Sequence, residues 1–155
     1  MKKKFSGLTP PQKIIEGLCA ALLVGMILGL VLFWGRLPEQ IPGHYNRAGE
    51  IDRWGSKWEL LLLPVFGVLM YGLLSFCCWL IREAVGKGEL PQPAYTWISG
   101  TKLVAIGTFA VIEWHSASAR PLGTWLLPAD VALLAALMTG FLISALRFAR
   151  RQGKK

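Results

Sequence analysis

A polar stretch between two apolar segments, residues 37–57, holds the side chains of this sequence that are best suited to chemistry. It contains an imidazole, a carboxamide and two carboxylates at His44, Asn46, Glu50 and Asp52. An imidazole beside carboxylates can bind a divalent cation, and it can act as a general acid or base near neutral pH. The alternative is that these groups only hold the loop together by hydrogen bonds, because Asn, Asp and Gly are common turn residues.

The turn residues within this stretch predict a short β-hairpin. The segment Asn-Arg-Ala-Gly-Glu resembles a three-residue hairpin connection whose glycine takes the left-handed conformation. In that register Asn46 lies opposite Glu50, and His44 lies opposite Asp52. Because residues two apart on a strand share a face, we expect these four polar side chains to point the same way and Tyr45 to point the opposite way.

Four apolar runs dominate the chain, which is 54% hydrophobic and 17% charged. Soluble domains carry about a quarter charged residues, and a membrane span needs about 20 mostly apolar residues. The predicted fold class is therefore an all-α membrane protein, with four transmembrane helices and a structured extracytoplasmic loop between helices 1 and 2. We expect the helices at residues 14–34, 58–81, 95–114 and 124–146, within a single multi-pass domain over residues 1–155.

The distribution of lysine and arginine predicts the orientation of this domain. With the N-terminus in the cytoplasm, eleven of these cations fall on inner segments and five on outer segments, which favours both termini inside and the polar loop outside. Lys102, within the third run, is expected to snorkel toward the cytoplasm. The basic tail from Arg147 to Lys155 is expected to contact anionic lipid or an acidic cytoplasmic protein partner.

The net charge of +8 follows this topological pattern, and the sequence has no basic face with interleaved aromatic residues. We therefore expect no nucleic-acid partner. Membrane lipids are the expected surroundings of the four helices. A homo-oligomer is a further expectation, since small four-helix chains often associate.

Three more ionisable groups lie near the ends of the later runs. Glu113 and His115 fall at the outer end of the third run, and Asp130 falls in the first turn of the fourth. If the bundle closes beneath the loop, the first two can meet its imidazole. No cofactor is expected otherwise, and the alternative is a divalent metal ion. The ligands of that hypothetical site are His44, Glu50, Asp52, Glu113 and His115.

The loop also carries an extended sequence pattern. The segment Leu37-Pro-x-x-Ile-Pro-x-His-Tyr-Asn-x-x-Gly-Glu-x-Asp-x-Trp-Gly-Ser-Lys57, between two hydrophobic helices, resembles the N-terminal domain of the SdpI-like immunity proteins. The resemblance implies a multi-pass protein of the bacterial inner membrane. In the best-known members, such a protein protects the cell from a secreted toxin and relays its presence by holding a cytoplasmic repressor at the membrane. The positions that match the family pattern are Pro42, His44, Asn46, Gly49, Trp54, Gly55 and Lys57.

These observations predict an SdpI-like immunity or signalling protein that recognises a toxin peptide or an envelope ligand through its outward loop. The alternative is a small membrane-embedded metal-dependent enzyme with a His/carboxylate site at the outer surface. We assign no catalytic residue and favour a non-enzyme, because the sequence has neither a phosphate-binding glycine loop nor a His-Glu-x-x-His zinc motif. The predicted ligand-binding residues are His44, Asn46, Glu50, Asp52, Trp54 and Lys57.

Overall fold

The computed structural model describes residues 8–84 and 92–152, which form four long helices and one two-stranded antiparallel sheet. In chain order the elements are α1 Pro10–Phe33, β1 Gln40–Tyr45, β2 Ile51–Ser56, α2 Leu62–Ala84, α3 Gln92–Ala117 and α4 Leu126–Gln152. Within these ranges, four helices are long and apolar enough to cross a membrane. The predicted fold class, including the hairpin between the first two helices, is confirmed. The first seven residues and the last three residues of the basic tail lie outside the described ranges.

A proline in the first turn of each long helix helps to explain where these helices begin. The four residues are Pro10, Pro64, Pro93 and Pro128. Proline lacks the backbone N–H, and the first-turn N–H groups of a helix have no acceptor within the helix, so it is tolerated there. The second helix was expected from residue 58. Instead, residues 57–61 form a 3₁₀ turn and the α-helix begins after it.

Helix α3 is central to the bundle, since it packs against α1, α2 and α4. Its buried side chains lie three, four or seven residues apart and therefore share one face of the helix. We call this face the α3 seam. Its members are Ser99, Lys102, Ile106, Glu113 and Ser116. Midway along the seam, Ile106 packs against Cys19 and Leu23 of α1. Many large apolar side chains elsewhere on the helices are exposed, as lipid contact requires.

A buried ion pair joins three helices at the seam. The Nζ atom of Lys102 lies 3.0 Å from Glu16 Oε1 of α1 and 2.8 Å from Ser75 Oγ of α2. Ser99 Oγ donates to the same Glu16 oxygen at 2.7 Å, and the ammonium group lies 4.7 Å from the Tyr71 ring centroid. Lys102 is only 4% exposed, so the prediction that it snorkels toward the cytoplasm is wrong. The reason is that α1 supplies a carboxylate within reach inside the bundle.

Replacing Lys102 with Met should strongly destabilise the bundle, because it leaves the largely buried Glu16 carboxylate without its counter-charge. Loss of one partner of a buried pair costs about 3–5 kcal/mol. The matched control is the double variant Glu16→Gln/Lys102→Met, which leaves no unpaired charge and should lose less stability than the single variant. Unfolding by SDS titration, followed by helical circular dichroism, measures both. A double variant that is less stable than the single variant would contradict the pairing.

Candidate functional site

The tip of the hairpin is organised by Asn46. Its backbone N–H donates to the Glu50 carbonyl at 2.9 Å, and its side-chain oxygen accepts the N–H groups of Ala48 at 2.9 Å and Glu50 at 3.0 Å. Gly49 has a φ of +74°, in the left-handed region that glycine adopts without strain. The predicted turn, with its glycine in this conformation, is confirmed.

The strand register differs from the predicted one. His44 lies opposite Arg53 rather than opposite Asp52, because the pairing shifts between His44 and Tyr45 and again between Pro42 and His44. Such bulges insert an extra residue into one strand and bend it. The predicted side-chain partners nevertheless meet, since His44 Nδ1 lies 2.6 Å from Asp52 Oδ1.

The hairpin is docked on the ends of the helices. The Tyr45 hydroxyl lies 3.0 Å from Ser116 Oγ and donates to the Arg120 carbonyl at 3.2 Å. Burial raises the pKa of the Tyr45 phenol, so this group stays protonated and can donate. At the tip, the Leu122 N–H donates to the Gly49 carbonyl at 2.8 Å. We call this end of the bundle, where the hairpin meets the α3–α4 connection, the hairpin end.

Lys57 closes the base of the hairpin. Its Nζ atom lies 2.7 Å from Glu39 Oε1 and 5.5 Å from the Trp34 ring centroid. The Trp34 ring meets the Trp58 ring edge-on, with centroids 4.9 Å apart. Ser56 Oγ accepts the Trp58 N–H at 3.5 Å and caps the 3₁₀ turn that leads into α2. These contacts fix the angle at which the second strand enters the membrane helix.

A cleft of about 250 Å³ lies between the hairpin, the start of α2 and the adjoining end of α3. Its apolar walls include Leu60, Leu62, Leu63, Phe66 and Ile112. The polar groups that line it come mainly from Tyr45, Ser116, Arg53 and Glu59. Apolar walls with a few polar groups are the usual lining of a small-ligand pocket, although this volume lies just below the range of about 300–1,000 Å³ that such pockets have.

The ionic part of this cleft is an Arg–Glu pair between β2 and the 3₁₀ turn. Arg53 donates to the two Glu59 carboxylate oxygens at 3.2 and 2.8 Å and to the Gly43 carbonyl at 2.8 Å. Hydrogen bonding to Glu59 raises the pKa of the Arg53 guanidinium, so the group stays charged. An additional Cβ at Gly43 would crowd this guanidinium. Glycine therefore lets the arginine cross beneath the first strand.

The remaining predicted site residues are placed separately. Glu50 accepts a hydrogen bond from the Asn46 carboxamide at 3.0 Å, and Trp54 is 53% exposed. Glu113 is buried, and His115 Nδ1 lies 2.9 Å from the Val111 carbonyl. Over residues 8–84 and 92–152, no three His, Cys, Asp or Glu side chains form a group that could hold a metal ion. The structure thus joins His44 to Asp52 but does not assemble the five predicted metal ligands.

Asp130 also takes a different role from the expected one. It falls beyond the first turn of α4, and its Oδ2 accepts the Thr108 hydroxyl of α3 at 2.7 Å. This carboxylate therefore links two helices instead of capping one. Sequence reasoning also missed Arg53 and Glu59 as site residues. Arg53 lies in β2 and Glu59 lies in the 3₁₀ turn that follows it. Their spacing in the sequence matches no motif that could have identified them.

Fold and site together define a multi-pass membrane protein with a β-hairpin that packs against the ends of its helices. Residues 21–68, which run from α1 through the hairpin into α2, match the family model described as a domain of unknown function, DUF1648. An uncharacterized protein of Archaeoglobus fulgidus is 41% identical over 56 residues, covering 31% of this chain and 31% of the relative. The chain thus spans about a third of that relative's length. No solved structure gives a significant match.

Replacing Gly49 with Ala should detach the hairpin from the α3–α4 connection. An L-residue pays about 1–2 kcal/mol in the left-handed region, and the new Cβ would collide with the Gly123 carbonyl. Trypsin cleavage at Arg47 and Arg53 in detergent-solubilised protein should therefore become faster. Gly35→Ala is the matched control, because nothing lies within 4 Å of its added Cβ. Equal cleavage rates for the two variants would show that the docking does not depend on Gly49.

Proposed function

We propose that this protein recognises an amphipathic ligand of the cell envelope at its hairpin end, and that a membrane-active peptide toxin is the best candidate. The observation that carries the proposal is the cleft beneath the hairpin, which combines apolar walls with the Arg53–Glu59 pair. A peptide with an apolar face and a polar face complements both parts. The resemblance of the loop to the SdpI-like immunity proteins supports a toxin over other amphiphiles.

The proposed ligand approaches from outside a bacterial cytoplasmic membrane. The excess of lysine and arginine on the segments opposite the hairpin supports this orientation, with both termini in the cytoplasm. The ligand would then meet the hairpin before it reaches the bilayer interior. The basic end of α4 would lie on the cytoplasmic side of the membrane. An acidic cytoplasmic protein could bind there and respond to the ligand-bound state, as the resemblance to the SdpI-like immunity proteins implies.

The predicted ligand-binding residues divide into two groups by their position on the hairpin. His44, Asp52 and Trp54 are largely exposed on the hairpin, so we assign them to the first contact with the ligand. The other three hold the tip and the base of the hairpin together, and we assign them to positioning. These are Asn46, Glu50 and Lys57.

The alternative of a metal-dependent enzyme rests on one pair of neighbouring donors, His44 and Asp52. Two protein ligands are fewer than the three that catalytic zinc sites use. Metal analysis of the purified protein separates the alternatives, with His44→Ala as the control. Stoichiometric metal that is lost in this variant would favour the enzyme over the receptor.

Phe66→Ala should reduce recognition, because it removes an aromatic wall of the cleft. Cells that produce the wild-type protein should survive higher concentrations of an amphipathic membrane-active peptide than cells with empty vector, and Phe66→Ala should lose most of this protection. Phe76→Ala is the matched control, since both phenylalanines lie on α2 and are similarly exposed, at 53% and 55%, but only Phe66 lines the cleft. Equal survival of vector and wild-type cells across a panel of such peptides would reject the proposal.

A further inference from the structure

One carboxyl group in the membrane-spanning part of α3 lacks a complete set of partners. Glu113 is 7% exposed, and its Oε2 atom is fully buried with no hydrogen-bond partner among the described residues. A buried polar group without a partner costs free energy. Ionisable groups kept inside membrane spans despite this cost commonly mark a functional site.

The position of Glu113 on the α3 seam places it next to the cleft. One turn closer to the hairpin on the same face lies Ser116, which lines the cleft and contacts the Tyr45 hydroxyl. Ile112, the residue before Glu113, also lines the cleft. Toward the middle of the bundle, the seam continues into the apolar contact of Ile106 with α1. Along the seam, Glu113 therefore lies between Ser116, which lines the cleft, and the apolar contact at Ile106, one turn behind the cleft wall.

The lysine of the seam and the arginine of the cleft already have other partners. Lys102 pairs with Glu16, and its position eleven residues earlier corresponds to about 16 Å along the helix axis. Arg53, which lines the same cleft, is bound to Glu59 and to the Gly43 carbonyl. Neither can serve Glu113 without giving up its own bonds.

We infer that Glu113 binds a cationic group of the ligand, either a primary ammonium or a guanidinium, at the inner end of the cleft. The inference rests on the proposed function, since the ligand enters by the same cleft. The cation passes the hydroxyls of Tyr45 and Ser116 and donates to Glu113 Oε2, while the apolar part of the ligand contacts Phe66 and its neighbours. A charged hydrogen bond is strengthened in such a water-poor site. A peptide ligand would supply the cation from a lysine or arginine side chain.

Dodecylamine and dodecanol provide matched probes, because they share an alkyl chain and differ in the cationic group. Binding of each tritiated probe to the purified protein in detergent is measured by scintillation proximity. Glu113→Gln should weaken dodecylamine binding at least about tenfold, the factor expected for loss of one charged hydrogen bond. It should leave dodecanol binding unchanged. Glu113→Met serves the same purpose if the amide variant does not fold.

Phe66→Ala separates failure of this inference from failure of the proposed function. It should weaken both probes, because it alters the apolar wall that both use. If Phe66→Ala weakens both probes while Glu113→Gln leaves dodecylamine binding intact, the cation site is wrong and the cleft stands. If neither probe depends on Phe66, the cleft itself is rejected as the binding site. Equal loss of both probes in Glu113→Gln and in Glu113→Met also overturns the inference, because it shows that the carboxyl group does not distinguish the cationic probe from the neutral one.

Discussion

A lysine inside an apolar helix needs a counter-charge, and the arrangement of this bundle depends on how that need is met. Glu16 of α1 supplies the carboxylate, and Ser75 of α2 and Ser99 of α3 complete the hydrogen bonds around the pair. Helix α3 has the lowest mean hydropathy of the four spans, so it benefits most from this partnership. The ion pair fixes the rotation of α3 relative to α1. Because Glu113 and Ser116 lie on the same face of α3, this rotation also places them at the hairpin end.

The hairpin completes the site because it is held at both its tip and its base. The tip hydrogen-bonds to the α3–α4 connection, and the base is closed by Lys57 between Glu39 and Trp34. Between these two anchors the strands bridge the ends of α2 and α3 and leave the cleft open. The proposed site therefore draws on groups from the loop and from two helices. The imidazole–carboxylate pair at His44 and Asp52 lies on the exposed surface of the loop.

The sequence predicted the elements better than their contacts. Apolar runs of membrane length identified four helices, and the Asn-to-Glu turn pattern identified the hairpin, because these signals are local. The Glu16–Lys102 pair joins residues 86 positions apart, so its distance is not visible in the sequence, although two opposite charges inside apolar runs were a usable signal. The bulges beside His44 and the crossing of Arg53 to Glu59 depend on how the strands bend. These features, and the cleft that they form, required the three-dimensional structure.

The most direct test of the central claim, that the cleft beneath the hairpin binds an amphipathic peptide, is site-specific photo-crosslinking in living cells. A benzophenone amino acid replaces Leu63, which lines the cleft, or Leu69, an exposed residue farther along α2 that does not. The account predicts a light-dependent adduct with an added amphipathic membrane-active peptide at position 63 and little or none at position 69. Equal peptide adducts at both positions, or no peptide adduct at position 63, would contradict it.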